Sequence, residues 1–166
     1  MRVYVPLTLP GLAAAAQAGE VGPAPLRAYA VTPALREWFG SEDVEELEYA
    51  ALGRAATASL RLLAADPGAP ARRVVLAADV PDVAVRAEVG SDEAALGRVT
   101  VAGVVRLAKA GAVHADAEEA GPDVAAAAKA VLAADAGDGA ALGVVDAADE
   151  HELLWFGVQE IPGLLA

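Results

Sequence analysis

The segment that most constrains the fold is Arg73–Val80, RVVLAADV, which is an almost continuous apolar run. A strand with one face in water alternates apolar and polar residues, whereas a continuous run is typical of a strand covered on both faces. Such a strand needs neighbours on both sides and helices above and below its sheet. We therefore expect Arg73–Val80 to be an internal strand of a sheet packed between helices.

The helices that would cover this sheet are predicted by apolar residues at steps of three and four. The longest is expected at about residues 42–65, where Val44 and Leu47 begin such a series after the capping residue Ser41. Prolines in a first turn and glycines after a last turn predict shorter helices elsewhere. These lie at Pro10–Ala18, Pro33–Phe39 and Pro122–Ala134, and an acidic helix is expected within Asp146–Glu152.

The strands are predicted by short runs rich in β-branched and aromatic residues. Helices separate the strands of the first half, as in βαβ units, whereas Arg73–Val80 and Val83–Val89 are joined by so short a link that they must be antiparallel. We therefore predict one α+β domain over residues 1–166, with a single mixed sheet that is βαβ-like in its first half and antiparallel in its second. The remaining strands are expected at Arg2–Val5, Leu26–Val31, Arg98–Val101, Val113–Asp116 and Leu153–Gln159.

Charge and composition exclude several classes of function. With 24 acidic and 12 basic residues the net charge is −12, which repels phosphate backbones and anionic membrane surfaces, so we expect neither nucleic acid nor a membrane as partner. The chain has no cysteine, which removes thiol chemistry and is typical of a cytoplasmic protein. No phosphate-binding glycine motif and no serine-nucleophile motif is present, so no cofactor is expected.

Two acid-rich stretches each contain a histidine and are candidates for a metal site. Two residues apart on a strand, His114 and Asp116 would point to the same side, and acidic residues before His151 would share a helix face. Oxygen-rich sets with imidazoles can hold Mg²⁺, Mn²⁺ or, less well, Zn²⁺, although no spacing here matches a recognised metal motif, and a solvated acidic surface is the alternative. The candidates are His114, Asp116, Asp146, Asp149, Glu150 and His151.

A second candidate site follows from the predicted parallel strands. Ligands favour the crevice beyond the carboxyl ends of parallel strands, where Thr8, Thr32, Asp79 and Asp82 would lie. The threonines precede helices, whose backbone N–H groups suit a small anion. The alternative is that both threonines cap helices and Asp82 forms a turn.

An exposed aromatic pair is the candidate for a protein contact. Trp38 and Phe39 close a short predicted helix, and exposed aromatic residues mark interfaces.

Several blocks of the chain together resemble a known family. They are Arg2–Leu9, Ala28–Glu37, Glu45–Ala51, Arg73–Asp82 and Glu150–Ile161. The chain resembles a family of small conserved hypothetical proteins of actinobacteria, classed as a domain of unknown function. The resemblance covers most of the chain and implies a cytosolic bacterial protein from a GC-rich genome, but it implies no activity and no site residues.

We therefore expect a small cytosolic, non-catalytic binding or regulatory module that acts through protein contacts, with itself or with another protein. The alternative is a small metal-binding protein or enzyme that uses the acidic and histidine residues. An enzyme requires a pocket in which polar groups converge, whereas a binding module requires an exposed apolar patch near Trp38 and Phe39.

Overall fold

A seven-stranded antiparallel sheet forms the centre of the protein in the computed structural model, which describes residues 1–166. The strands are β1 (Arg2–Leu7), β2 (Glu20–Val21), β3 (Leu26–Tyr29), β4 (Val74–Asp79), β5 (Val85–Ala87), β6 (Arg98–Val101), β7 (Val105–Arg106), β8 (Ala110–Ala115) and β9 (Leu154–Phe156). Across the sheet the order is β5-β6-β3-β1-β4-β8-β9, and β2 and β7 form a separate two-stranded ribbon. The internal position predicted for Arg73–Val80 is confirmed, because β4 lies between β1 and β8.

Seven helices surround the sheet, so the predicted α+β class is confirmed. The helices are α1 (Leu9–Ala18), α2 (Pro33–Phe39), α3 (Val44–Ala65), α4 (Asp92–Ala95), α5 (Gly121–Asp135), α6 (Gly139–Asp149) and α7 (Ile161–Leu165). The Thr8 hydroxyl accepts a hydrogen bond from the first turn of α1, and the Thr32 hydroxyl does the same for α2. Both helices end at a glycine with a left-handed backbone, Gly19 and Gly40. None of the helices combines the length and the apolar character needed to cross a bilayer.

The core has two layers of side chains on the sheet and a third cluster beside them. On one face, residues such as Val5 and Leu76 pack with Leu12 of α1 and Ile161 of α7. On the other face, α3 covers the sheet, and its small residues, such as Ala51, lie over the large tyrosines of β1 and β3. The α5–α6 hairpin packs against the second half of α3. This arrangement leaves a cleft between α3 and the end of α6.

The parallel pairing expected in the first half of the sheet is wrong. Tyr4 of β1 lies opposite Tyr29 of β3 in an antiparallel pair. The reason is that α1 is followed by β2 and a further loop, so the chain returns to the end of the sheet at which β1 stops. Every neighbouring pair of strands is antiparallel.

Two further segments differ from the prediction. Val83–Val89 does not pair with β4, since β1 and β8 occupy both sides of that strand; a short turn at Asp82–Ala84 leads instead to β5 at the far edge of the sheet. The glycine-rich stretch expected to be a loop begins α6 at Gly139, because the Asp138 carboxylate accepts a hydrogen bond from the Ala141 N–H.

Candidate functional site

A cleft of about 570 Å³ lies between α3 on one side and the end of α6 with the segment that follows it on the other. Its lining combines aromatic and aliphatic side chains with four carboxylates, and we refer to it as the acidic cleft. The lining residues are Phe39, Glu46, Tyr49, Ala50, Leu52, Gly53, Arg54, Ala56, Thr57, Arg73, Asp146, Asp149, His151, Glu152 and Leu153. A second hollow, of about 470 Å³ beside the end of α2, has no hydrophobic lining residue and offers no comparable binding surface.

Arg73, a lining residue of the acidic cleft, forms a buried ion pair with Asp116, and we refer to this pair as the floor of the cleft. The Asp116 side chain is fully buried and the Arg73 side chain is 2% exposed. Two bonds of 3.0 and 2.8 Å join the guanidinium to the two carboxylate oxygens, and the Arg73 backbone N–H donates to the same carboxylate at 2.8 Å. Such a bidentate pair fixes both side chains in one geometry.

The strand register explains why these two residues meet. Val74 lies opposite Ala115 on the antiparallel strands β4 and β8, so the residues one step further, Arg73 and Asp116, are also neighbours. The Asp116 N–H donates to the Arg73 carbonyl at 3.2 Å, which continues the ladder.

The Arg73 guanidinium also forms hydrogen bonds with the end of α6 and so connects that helix to the sheet. It donates to the carbonyls of Ala148 and His151 at 3.0 and 2.9 Å and to the Asp149 carboxylate at 3.1 Å. With the two bonds to Asp116, the guanidinium makes five hydrogen bonds inside the protein. The guanidinium therefore has a structural role, and few of its N–H donors are left to bind a ligand.

The exposed charges of the acidic cleft are mainly negative. Glu46, Asp146, Asp149 and Glu152 supply four carboxylates, and Arg54 is the cation not already used in the floor. Burial raises the pKa of Asp149 above its ordinary value; Arg73 opposes this rise and Asp146 adds to it. The cleft therefore attracts cations and repels anions.

His151 forms a second polar contact at the rim. Its Nε2 lies 2.7 Å from Oδ2 of Asp123, and the His151 side chain is 34% exposed. No serine, cysteine or lysine lines the cleft, and the Thr57 hydroxyl donates to the Gly53 carbonyl of its own helix. The contact joins α5 to the cleft but has no activated nucleophile beside it.

The structure separates the residues expected to bind a metal. Asp116 is buried against Arg73, whereas His114 lies half-buried on β8 between Val75 and Trp155. Burial, followed by the charge of Arg2, lowers the pKa of His114, which favours the neutral ring.

The second acid-rich stretch is brought only partly together. Asp146, Asp149 and His151 line the acidic cleft, and Glu150 is exposed outside it. No three histidine, aspartate or glutamate side chains are close enough to hold a metal ion.

The four residues expected in a crevice at the strand ends do not share one. Because β1 and β4 are antiparallel, Thr8 lies at the end of the sheet opposite to Asp79. The exposed Asp79 carboxylate pairs with Arg2 at 3.1 Å, and the hydrogen bond to that guanidinium lowers its pKa. Asp82 accepts from the amino group of Met1 at 2.8 Å, and Thr32 is a buried helix cap.

The aromatic pair expected at a protein contact lies beside the acidic cleft. Trp38 and Phe39 are 63% and 40% exposed, and Phe39 lines the cleft. Tyr49 of α3, which is 65% exposed, extends this aromatic surface and was not singled out in the sequence. The role of Arg73 was also missed, although an arginine at the start of a buried strand signals a need for a buried partner.

Comparison with known proteins shows the family. The model described as "Family of unknown function (DUF6912)" matches residues 1–165, so the chain belongs to this family. The predicted resemblance to a domain of unknown function is confirmed to that extent. No curated protein and no solved structure matches the chain.

Proposed function

We propose that the protein is a small, non-catalytic binding module of the actinobacterial cytosol, and that it regulates a partner protein by taking a positively charged segment of that partner into the acidic cleft. The observation that carries the proposal is the lining of the cleft. Exposed aromatic side chains on one side, Phe39 and Tyr49, lie near exposed carboxylates of the other side, such as Asp146 and Glu152.

This combination suits the side chains of arginine and lysine. Their alkyl stems pack on apolar or aromatic surface while the charged ends bind carboxylates, and a guanidinium also stacks on aromatic rings. The net charge of −12 adds a long-range attraction for a basic segment. It opposes nucleic acid, whose phosphates carry the same sign.

The lining also favours binding over catalysis. The buried guanidinium of Arg73 is used inside the protein, and no serine, cysteine or lysine is present to act as a nucleophile. The His151–Asp123 contact is the one feature that supports the enzymatic alternative, since a histidine held by a carboxylate is a possible general base.

The proposal is tested by titration with a short capped peptide that contains three arginines, and with a neutral peptide in which citrulline replaces each arginine. Calorimetry measures the affinity, and amide chemical shifts of Tyr49 and Gly53 locate the site. The arginine peptide is expected to bind, and its affinity is expected to fall as salt is added, because salt screens exposed ion pairs. The neutral peptide is expected not to bind.

A pair of matched variants separates the cleft from general charge attraction. The double variant Asp146→Asn with Glu152→Gln removes two charges from the cleft and should weaken binding roughly tenfold. The control Glu118→Gln with Glu119→Gln removes two charges from an exposed turn and should bind almost as the parent does. Equal losses in both double variants would show that net charge alone attracts the peptide, and the proposal would be wrong.

A further inference from the structure

The strand β5 forms one edge of the sheet, and its outer side has no partner. Natural proteins commonly protect such an edge with a short strand, charged side chains, proline or a bulge. The strand β5 is three residues long and carries the charged Arg86. Residues 83–89 contain neither proline nor lysine, and the valines at both ends of this segment, Val83 and Val89, are 96% and 90% exposed.

The hydrogen bonds between β5 and β6 show which backbone groups of β5 face outwards. The Ala102 N–H donates to the Ala84 carbonyl at 2.8 Å, and the Glu88 N–H donates to the Arg98 carbonyl at 3.3 Å. Even-numbered residues of β5 therefore bond to β6. Since the direction of these groups alternates along a strand, the N–H and C=O groups of Ala87 and Val89 and the C=O group of Val85 point to the open side. The Val85 N–H is already used, since it donates to the Asp82 carbonyl in the preceding turn.

The sequence of this segment is symmetric about Ala87. Valine stands two positions to each side, and the residues one position away are Arg86 and Glu88, which carry opposite charges. An antiparallel strand of the same sequence, centred on Ala87, would therefore place valine against valine and arginine against glutamate. Both kinds of cross-strand pair are favourable.

We propose that β5 is a self-association edge, on which a second copy of this chain pairs antiparallel about Ala87. The Val85 carbonyl then accepts a hydrogen bond from the Val89 N–H of the second copy, and Ala87 forms a hydrogen-bonded pair with its own counterpart. Arg86 and Glu88 of the second copy form a non-hydrogen-bonded pair, in which side chains approach most closely. The proposal rests on the sheet edge and is independent of the acidic cleft.

The charges around β5 fit this arrangement. Arg86 is exposed and makes no ion pair within the chain. Glu88 already pairs with Arg98 and lies 3.8 Å from Arg27, on the same face of the sheet. Pairing with a second copy would place the Glu88 of that copy beside Arg86, so that basic and acidic side chains would also alternate across the interface between the two copies. Because the contact is two-fold symmetric, it occurs twice and closes as a dimer instead of growing into a filament.

The test measures the mass of the full chain by sedimentation velocity over a range of concentrations at physiological salt. The parent protein is expected to show a concentration-dependent dimer. Ala87→Pro removes an N–H that faces outwards and makes no bond within the chain, so this variant should stay folded and monomeric. A parent protein that remains monomeric at its highest soluble concentration would overturn the proposal, as would a dimer that survives Ala87→Pro.

Exchange of the charges at Arg86 and Glu88 provides a control, because a folding defect cannot produce the result expected for a mixture of the two variants. Arg86→Glu places like charges opposite each other twice and should weaken the dimer about tenfold, and Glu88→Arg should do the same. A mixture of the two variants restores opposite charges at both contacts and should form a mixed dimer close to parental strength. Circular dichroism melting checks that each variant is folded. Failure of folded variants to recover in the mixture would show that the dimer uses another surface, and would overturn the proposal.

Discussion

Removal of the Asp116 carboxylate is expected to lower the stability of the protein strongly. Asp116→Ala would leave the buried guanidinium of Arg73 without its main counter-charge and remove three hydrogen bonds of 2.8–3.0 Å. Breaking a buried ion pair by deleting one partner lowers the free energy of unfolding by about 3–5 kcal/mol. At 166 residues this corresponds to a fall in Tm of roughly 6–20 °C.

Two further variants make this prediction specific. The Asp149 carboxylate accepts a single hydrogen bond of 3.1 Å from the same guanidinium, and its side chain is 46% exposed. Asp149→Ala should therefore lower the free energy of unfolding by no more than about 1 kcal/mol. The double variant Arg73→Met with Asp116→Leu replaces both charges by apolar side chains, and should be less destabilising than Asp116→Ala alone.

The assay is urea unfolding at neutral pH, followed by far-ultraviolet circular dichroism and supported by thermal melting. From the most to the least stable, the expected order is the parent protein, Asp149→Ala, the double variant and Asp116→Ala. A loss of under about 1 kcal/mol for Asp116→Ala would show that the buried pair contributes no more than a surface ion pair, and the description of the cleft floor would be refuted.

Three other predictions concern single positions. Gly97→Ala should lower the free energy of unfolding by at least about 1–3 kcal/mol in urea titrations, because φ is +90° and a Cβ would lie 2.6 Å from the Ala30 carbonyl oxygen. Ser59→Ala should lower it by about 1–3 kcal/mol in the same assay, since the buried hydroxyl donates to the Leu7 carbonyl and accepts from the backbone N–H of Val74. The pKa of His114 is lowered below its ordinary value of 6.5, so the unfolded state binds the proton more readily and stability should fall as the pH drops through that value. His114→Gln should therefore lose less stability than the parent between about pH 7 and pH 5, as measured by urea midpoints.

The fold was predictable where a local pattern determined the outcome. The period of α3 and the capping residues Thr8 and Thr32 are local signals, and the observed helices follow them closely. The burial of β4 on both faces was predictable because an apolar run leaves no side chain suited to water. Strand pairing depends instead on the end of the sheet to which each connection leads the chain, and local sequence patterns do not show this.

Val83–Val89 shows how this limit produced a wrong pairing. Its alternation predicts a strand, which the structure shows only for Val85–Ala87 because Val83 and Ala84 lie in a turn, and the short link to β4 suggests a hairpin. However, the long apolar strands β1 and β8 bury more surface against β4 than a three-residue strand can, so β5 pairs with β6 at the far edge. The free sheet edge that results from this placement is the basis of the proposed self-association.

The candidate site was only half predictable for a related reason. Sequence patterns identified the acidic residues around His151 and the aromatic pair at Phe39, and the fold brings both to one cleft from positions more than a hundred residues apart. The same patterns assigned Asp116 to a metal site, because spacing shows which side chains share a face but not which are buried. The deciding residue is Arg73: once a guanidinium begins a buried strand, a carboxylate must be buried with it, and the neighbouring strand supplies Asp116. The acidic residues that remain exposed around this neutralised floor are the ones to which the proposed function assigns the basic segment of a partner.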